Sequence, residues 1–150
     1  MRHYVQDKVA IITGGSSGFG LETARILLEM GARVVVTGRN PQRLKQAETD
    51  LASKELLAMQ ADATQTADWQ KLVQATLERF GRVDVLVNNH GAGIKITELE
   101  HLHDSEIDAI IDVNLTSVIK GCRELMKVMK PQASGHIVNV SSTCAFYSWA

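Results

Sequence analysis

One glycine-rich stretch constrains the fold of this chain more than any other feature. Residues 9–12 form an apolar run that predicts a strand buried on both faces, and Gly14, Gly18 and Gly20 follow in a predicted tight turn that opens a helix. Such a turn suits phosphate because the first N–H groups of a helix lack partners and the helix dipole favours negative charge there. The spacing differs from G-x-G-x-x-G, so this motif alone leaves open a nucleotide site or a plain turn.

Length, composition and charge narrow the class of protein. The 150 residues suit one domain, and 45% hydrophobic and 22% charged residues are ordinary for a globular chain. A net charge of -1 without a basic stripe argues against nucleic acid or anionic membrane as partners. The amino-terminal residues lack the apolar core of a signal peptide and no run approaches transmembrane length, so we expect a cytoplasmic protein. Cys122 and Cys144 lack metal-ligand spacing, which favours reduced thiols.

Apolar strands alternate with helices along the chain. Strands are predicted at residues 9–12, 33–37, 56–60, 83–87 and 137–140. Helices are predicted over residues 21–30 and 41–51, from a cap at Thr66 or Asp68 to residue 80, and over residues 104–129. The alternation predicts an α/β fold, a doubly wound Rossmann-type parallel sheet of at least five strands with helices on both faces. Ligands of such sheets lie at the carboxyl ends of the strands.

Three further motifs fall at that edge of the predicted sheet. Residues 88–91 (Asn-Asn-His-Gly) follow the fourth strand, Asn114 lies within Asp-Val-Asn-Leu at 112–115, and the fifth strand ends in Ser141-Ser142. With the glycine turn, their order and spacing resemble those of the short-chain dehydrogenases and reductases, from about Lys8 to the last residue. The resemblance implies a Rossmann-type oxidoreductase that transfers hydride between a nicotinamide coenzyme and a small alcohol or carbonyl substrate.

The resemblance also implies catalytic residues. Ser142 matches the serine that hydrogen-bonds the substrate oxygen, and Asn114 matches the asparagine that supports a water in the proton relay. The alternatives are a strand-end serine bonded to backbone and a helix asparagine that bridges main-chain groups. The family's tyrosine and lysine have no match because the sequence stops eight residues after Ser142, and Tyr147 is interpreted as a packing residue. Without a phenol of lowered pKa the proton step lacks an evident donor, so we expect this chain to be inactive or weakly active.

Coenzyme preference depends on the end of the second strand. Many NAD-preferring family members have an acidic residue there that binds the ribose 2′-hydroxyl, whereas this chain has Gly38 followed by Arg39. A guanidinium pairs with phosphate through two hydrogen bonds, so we predict NADP, with NAD as second choice; a solvated loop arginine is the alternative. The basic residue that members often carry before the middle glycine is Ser17 here. The implied coenzyme-binding set, with Asp62 and Ala63 at the adenine ring, is Gly14, Ser16, Ser17, Gly18, Phe19, Gly20, Arg39, Asp62, Ala63, Asn89, His90 and Gly91.

His90 departs from the family's usual Asn-Asn-Ala-Gly. Near the coenzyme ribose its ring could crowd the site, donate to a ribose hydroxyl or titrate near neutral pH; a side chain turned toward solvent is the alternative. His101 and His103 form an H-x-H pair in a polar loop without a third ligand, so we expect solvated histidines and no metal site.

Two functions follow from these patterns. The first is an NADP-dependent short-chain reductase, of which residues 1–150 form a single dinucleotide-binding domain truncated after the fifth strand. The second is a catalytically incomplete dinucleotide-binding module, a truncated or degenerate relative without the Tyr-x-x-x-Lys pair. The implied partners are a nicotinamide dinucleotide and a small substrate, and complete family members are expected to be homo-oligomers.

Overall fold

A five-stranded parallel sheet forms the centre of the molecule. The computed structural model describes residues 4–93 and 97–143; the predictions for Cys144 and Tyr147 lie outside these residues. The strands are β1 (Val9–Thr13), β2 (Arg33–Gly38), β3 (Leu56–Gln60), β4 (Val85–Asn88) and β5 (His136–Asn139). Their order in the sheet is β3-β2-β1-β4-β5, and every neighbouring pair is parallel. The predicted doubly wound parallel sheet is therefore confirmed.

Helices connect the strands and cover the sheet. They are α1 (Gly18–Glu29), α2 (Pro41–Leu51), α3 (Thr66–Phe80), α4 (Asp104–Ile111) and α5 (Ser117–Gln132). A short 3-10 turn spans Leu99–His101, and a π-helical turn, Asp112–Thr116, joins α4 to α5. Among the described residues, none of these helices is both long and apolar enough to cross a membrane.

The core divides into two clusters because successive side chains of β1 point to opposite faces of the sheet. Ile11 packs with α3 and α5, through residues that include Trp69 and Leu125. Ile12 belongs to the other cluster, which contains Ala24 of α1 and Leu44 of α2. All of β1 is buried, as the apolar run at residues 9–12 predicted, because the strand lies between two neighbours and under helices on both faces. Helices on both faces of the sheet are thus confirmed.

A buried carboxylate joins the start of β1 to the start of β4. Asp84 is 3% exposed and accepts hydrogen bonds from Arg82 at 2.6 and 2.9 Å and from the Val9 N–H at 3.0 Å. Lys8 adds an ion pair at 3.5 Å. Burial alone would raise the pKa of Asp84, but the hydrogen bonds from Arg82 and Val9 and the charges of Arg82 and Lys8 hold this pKa below its usual value.

Some predicted boundaries are wrong. The single helix expected over residues 104–129 is two α-helices separated by the π-turn, and the second continues past Pro131 to Gln132. Helix α3 begins with Gln65 as its N-cap, without a side-chain cap. Asp68 does not cap it because its carboxylate accepts a hydrogen bond from the Asp62 N–H at 3.0 Å, and Thr66 is already the first helical residue.

Candidate functional site

A groove of about 470 Å³ opens at the carboxyl ends of the central strands. Its size lies within the range of roughly 300–1,000 Å³ that is usual for small-molecule and cofactor sites. The strand order changes direction between β1 and β4, which is the position where doubly wound sheets bind ligands. Most of the residues predicted to bind coenzyme line this groove: Gly14, Ser16, Ser17, Phe19, Arg39, Asp62, Ala63, Asn89, His90 and Gly91. Gly18 and Gly20 support its wall without lining it.

The glycine turn between β1 and α1 is tightly packed on one side and open on the other. Gly14 has a φ of +65°, a conformation that glycine adopts without steric cost, and Gly18 has a φ of +56°. A Cβ on Gly20 would lie 2.5 Å from the Gly14 carbonyl oxygen, so the turn could not close around a side chain there. Ser17, the N-cap of α1, makes no side-chain capping bond, and the first turn of α1 has no acidic residue. The starting N–H groups of α1 are thereby left to an external anion.

Ser16 occupies the space beside the end of β2. A Cβ added to Gly38 would lie 2.7 Å from the Ser16 Oγ, so the serine fills the position in which a side chain at residue 38 would begin. The groove wall beyond Gly38 is formed by Arg39, Asn40 and Arg43. Asn40 caps α2 by accepting a hydrogen bond from the Arg43 N–H at 2.9 Å, which orients the first turn of α2 toward the groove. The end of β2 is therefore basic and polar.

Asp62 follows β3, next to the end of β2, where the Ala61 N–H donates to the Gly38 carbonyl at 3.1 Å. The Asp62 Oδ1 accepts hydrogen bonds from the Thr64 N–H at 2.9 Å and the Thr64 hydroxyl at 2.8 Å. Burial raises the pKa of Asp62, but the two bonds from Thr64 and the charge of Arg39, joined by that of His90 when its ring is protonated, outweigh it, and the pKa falls below its usual value. Asp62 therefore stays ionised near neutral pH, in a fixed orientation.

Asn89 fastens the glycine turn to the end of β4. Its Nδ2 donates to the Thr13 carbonyl at 3.0 Å and reaches the Gly14 carbonyl at 3.4 Å. The Thr13 hydroxyl accepts a hydrogen bond from the Asn89 N–H at 3.0 Å. These bonds cross from the end of β4 to the end of β1, so Asn89 holds the glycine turn in place at the floor of the groove.

His90 is half-buried at the groove, and its ring contacts two protein hydroxyls. Its Nδ1 is 2.6 Å from the Thr13 hydroxyl and its Nε2 is 2.6 Å from the Ser117 hydroxyl. Burial lowers the pKa of His90; the Asp62 carboxylate raises it, Arg39 lowers it and the Val113 carbonyl raises it, and the result is a pKa below the usual value. Both ring nitrogens have protein partners, which leaves neither for a ribose hydroxyl in this arrangement.

Asn114 lies in the π-turn and contacts the loop after β4. Its Oδ1 accepts from the Ala92 N–H at 3.0 Å, and its Nδ2 donates to the carbonyls of Ala92 at 3.3 Å and Ile110 at 3.1 Å. A Cβ on Gly91 would lie 3.1 Å from that Oδ1. The side chain therefore bridges main-chain groups, as the alternative interpretation expected, at a position close to the groove.

Ser142, His101 and His103 do not line the groove. Ser142 follows β5 and is exposed, without lining the groove. His101 pairs with Glu98 at 3.4 Å on the short 3-10 turn. Within residues 4–93 and 97–143, no three His, Cys, Asp or Glu residues are grouped as a metal site would require.

The sequence patterns missed several groove residues. Arg43 and Asn40 line the groove from the first turn of α2, and Thr64 and Val113 line it from loop and π-turn. Pro41, which marked the start of α2, was the available signal for the first two, because a helix that starts after β2 must point its first turn toward the carboxyl edge. Val113 had no local signal.

A parallel sheet of this order, with a glycine turn at its switch point, defines a dinucleotide-binding protein of the doubly wound class. The family model described as short chain dehydrogenase matches residues 8–150, and the chain belongs to the short-chain dehydrogenase family. It is 37% identical over 142 residues to a 1,6-dihydroxycyclohexa-2,4-diene-1-carboxylate dehydrogenase of Pseudomonas putida, covering 95% of this chain and 53% of that protein.

Solved structures agree with the family. A 3-ketoacyl-(acyl-carrier-protein) reductase from Brucella melitensis complexed with NADH superposes with a TM-score of 0.89 at 36% identity, over 94% of this chain and 60% of that one. A metagenomic short-chain oxidoreductase in complex with NADP gives a TM-score of 0.89 at 34% identity, over 97% of this chain and 67% of that one. The chain thus spans a little over half to two thirds of the length of these relatives.

Proposed function

We propose that this chain is the coenzyme-binding part of an oxidoreductase that transfers hydride between NADP(H) and an alcohol or carbonyl substrate. The observation that carries the choice of NADP is the end of β2, where Arg39 and Arg43 line the groove and no acidic side chain stands at Gly38. The 2′-phosphate of NADP is the group that arginines at this place bind, through charge-assisted hydrogen bonds. Ser16 supports this preference, because an acidic residue at position 38 would have to displace its hydroxyl.

The remaining groove residues fit a dinucleotide. The uncapped start of α1 offers N–H donors to a diphosphate, and the tight packing at Gly14 and Gly20 keeps side chains out of its way. Asp62 and Ala63 fit the adenine end, since they line the groove after β3. Bound NADP(H) supplies the hydride, while the protein residues bind and orient it. A cytoplasmic location stays a prediction from the sequence.

We assign supporting roles around the proton step to Ser142 and Asn114, without assigning the proton donor itself. Ser142 would hydrogen-bond the substrate oxygen, and Asn114 would hold a water through main-chain and side-chain groups near Ala92. We propose residues 1–150 as one dinucleotide-binding domain, and a dinucleotide-binding module without turnover as the second candidate. The second candidate is favoured by the position of Ser142, which is exposed and does not line the groove.

Calorimetric titration with NADPH and NADH tests the proposal. We expect tighter binding of NADPH, and Arg39→Ala should weaken it about 10- to 100-fold while NADH binding changes little, because a hydrogen bond to a charged group contributes roughly 1.5–3 kcal/mol. Arg25→Ala is the matched control, since Arg25 pairs with Glu22 on α1 and does not line the groove. Tighter NADH binding would overturn the NADP assignment, and binding of neither coenzyme would overturn the proposal.

An activity assay separates the two candidates. NADPH oxidation with a panel of ketones should be measured on the same protein that binds the coenzyme. Turnover at rates usual for enzymes would eliminate the module without catalysis, whereas tight binding without turnover would eliminate a self-sufficient enzyme.

A further inference from the structure

His90 bridges two elements on either side of the groove floor. Its Nδ1 lies 2.6 Å from the hydroxyl of Thr13, the last residue of β1, and its Nε2 lies 2.6 Å from the hydroxyl of Ser117, the first residue of α5. Ser117 is fully buried, at 0% exposure. The imidazole therefore connects the floor of the glycine turn to the helix that continues from the π-turn.

The hydrogen bonds around the ring define which nitrogen carries the proton. The Ser117 hydroxyl donates its one hydrogen to the Val113 carbonyl at 2.6 Å, so it can only accept from His90. The His90 Nε2 must consequently be the donor in that contact. A neutral imidazole with hydrogen on Nε2 has an acceptor at Nδ1.

The Thr13 hydroxyl complements that acceptor. Its oxygen already accepts the backbone N–H groups of Asn89 at 3.0 Å and of His90 at 3.2 Å, which uses both lone pairs. The hydrogen of the Thr13 hydroxyl has two possible acceptors, the His90 Nδ1 at 2.6 Å and the Val87 carbonyl at 3.2 Å. The shorter contact, to His90, is the one that it makes. When His90 is neutral, every donor and acceptor is satisfied in the series of hydrogen bonds that runs from the Thr13 hydroxyl through the His90 ring and the Ser117 hydroxyl to the Val113 carbonyl.

We propose that neutral His90 is a positioning residue that holds the π-turn carrying Asn114 against the end of β1, and that protonation of its Nδ1 releases this connection. A hydrogen on Nδ1 would point at an oxygen that already accepts two N–H groups. The Thr13 hydroxyl would then have to turn to Val87 and accept a third donor. Asn114 lies between Val113 and Leu115 in the π-turn, so a shift there moves its bonds to Ala92.

The surroundings of His90 favour the neutral form. The charged groups that act on it are Asp62, from the loop after β3, and Arg39, from the end of β2; they oppose each other, and burial lowers its pKa. Because the folded-state pKa lies below the ordinary value of about 6.5, this stabilisation is present above that pH and is lost as the pH falls through the folded-state pKa. The connection that His90 makes between Thr13 and Ser117 does not depend on the proposed function.

The experiment uses the protein without coenzyme. Urea unfolding of the wild type, His90→Ala and His90→Gln is measured from pH 8 to pH 5, with His136→Gln as the control because His136 is exposed on β5. At pH 8 we expect His90→Ala to raise the unfolding constant about thirtyfold, from two lost hydrogen bonds. His90→Gln, which keeps one amide donor and one acceptor, should recover part of this loss. The difference in the free energy of unfolding between the wild type and His90→Ala should shrink toward pH 5. Neither His90→Ala nor His90→Gln should show the pH dependence that comes from the His90 ring.

A spectroscopic measurement addresses the tautomer directly. In ¹⁵N NMR spectra of the wild type, the ring assigned to His90 by its loss in His90→Gln should carry hydrogen on Nε2 and titrate below the ordinary histidine value of about 6.5. Backbone amides at residues 112–117 should exchange faster in His90→Ala. A His90 ring that titrates at or above the ordinary value of about 6.5, a dominant Nδ1–H tautomer, or an unchanged pH dependence in His90→Ala would overturn the inference. These results do not depend on coenzyme, so failure of NADPH binding would leave them intact.

Discussion

Replacement of Gly20 by alanine tests how the glycine turn is held together. An added Cβ would lie 2.5 Å from the Gly14 carbonyl oxygen and 2.5 Å from the Asn89 Nδ2. Ordinary contacts of this kind begin roughly 1 Å further out. Neither neighbour moves freely, because the oxygen belongs to the backbone of the turn and the amide is bonded to the Thr13 carbonyl at 3.0 Å. The substitution must therefore open the turn or break the Asn89 bonds.

The two costs can be worked separately. Overpacking of a well-packed site costs about 1–3 kcal/mol, and loss of one net hydrogen bond costs about 1 kcal/mol. We therefore expect Gly20→Ala to lower the free energy of unfolding by about 2–4 kcal/mol. Displacement of the α1 start should also weaken NADPH binding at least about tenfold, which corresponds to about 1.4 kcal/mol.

Urea unfolding and calorimetric titration measure the two effects. Gly81→Ala is the control: Gly81 is the C-cap of α3, has a φ of +78°, and its added Cβ would meet nothing within 4 Å. Its cost is the backbone conformation alone, about 1 kcal/mol, with coenzyme binding unchanged. If Gly20→Ala were as stable as the wild type and bound NADPH equally well, the inferred close packing of Gly20 against Gly14 and Asn89 would be refuted.

Three further substitutions test other parts of the structure. Asp84→Asn should lower the free energy of unfolding by about 2–3 kcal/mol at pH 7 and reduce the loss of stability on acidification below about pH 4, because the pKa of the wild-type carboxylate is depressed and its ionised form stabilises the fold above that range; urea unfolding between pH 7 and pH 3 checks both. Gly121→Ala places a Cβ 2.6 Å from the Trp69 ring and should cost about 1–3 kcal/mol by urea unfolding; an unchanged midpoint would contradict the close packing of α3 on α5. Asn40→Ala should cost about 1 kcal/mol through loss of the cap on the Arg43 N–H, and Asn40→Asp, which keeps an acceptor, should restore it in a thermal melt.

The sheet was predictable from sequence because its signals are local. The apolar runs that form β1 and β2 are buried on both faces, so their composition alone marks them as central strands. Gly31 and Gly81 follow α1 and α3 with positive φ, as C-terminal glycines of helices do.

Features set by distant contacts were not predictable. Ile107, Ile111, Leu115 and Ile119 keep a four-residue spacing through the interrupted helix, so periodicity gave no sign of the π-turn. The turn coincides with Asn114, whose partners at Ala92 lie 22 residues away in the chain. Tertiary contacts of this kind override local propensity.

The candidate site also contains residues whose positions were predictable from sequence and residues whose environment was not. The positions of Gly14, Arg39 and Asp62 at the groove follow from the rule that ligands lie at the carboxyl ends of parallel strands. The environment of His90 does not, because its partners Thr13 and Ser117 come from segments 77 residues before it and 27 residues after it. Only the folded chain brings these hydroxyls to the two ring nitrogens.

The central position of β1 has a consequence for synthesis on the ribosome. β1 pairs on one side with β2, which follows soon after it in the chain, but on its other side with β4, and the Val9–Asp84 bond that accompanies this second pairing spans 75 positions. Until β4 has left the exit tunnel, the nascent chain carries an apolar strand with an open edge, the state in which growing chains aggregate or recruit chaperones. Formation of the β1–β4 pair is therefore the step that covers the second edge of β1.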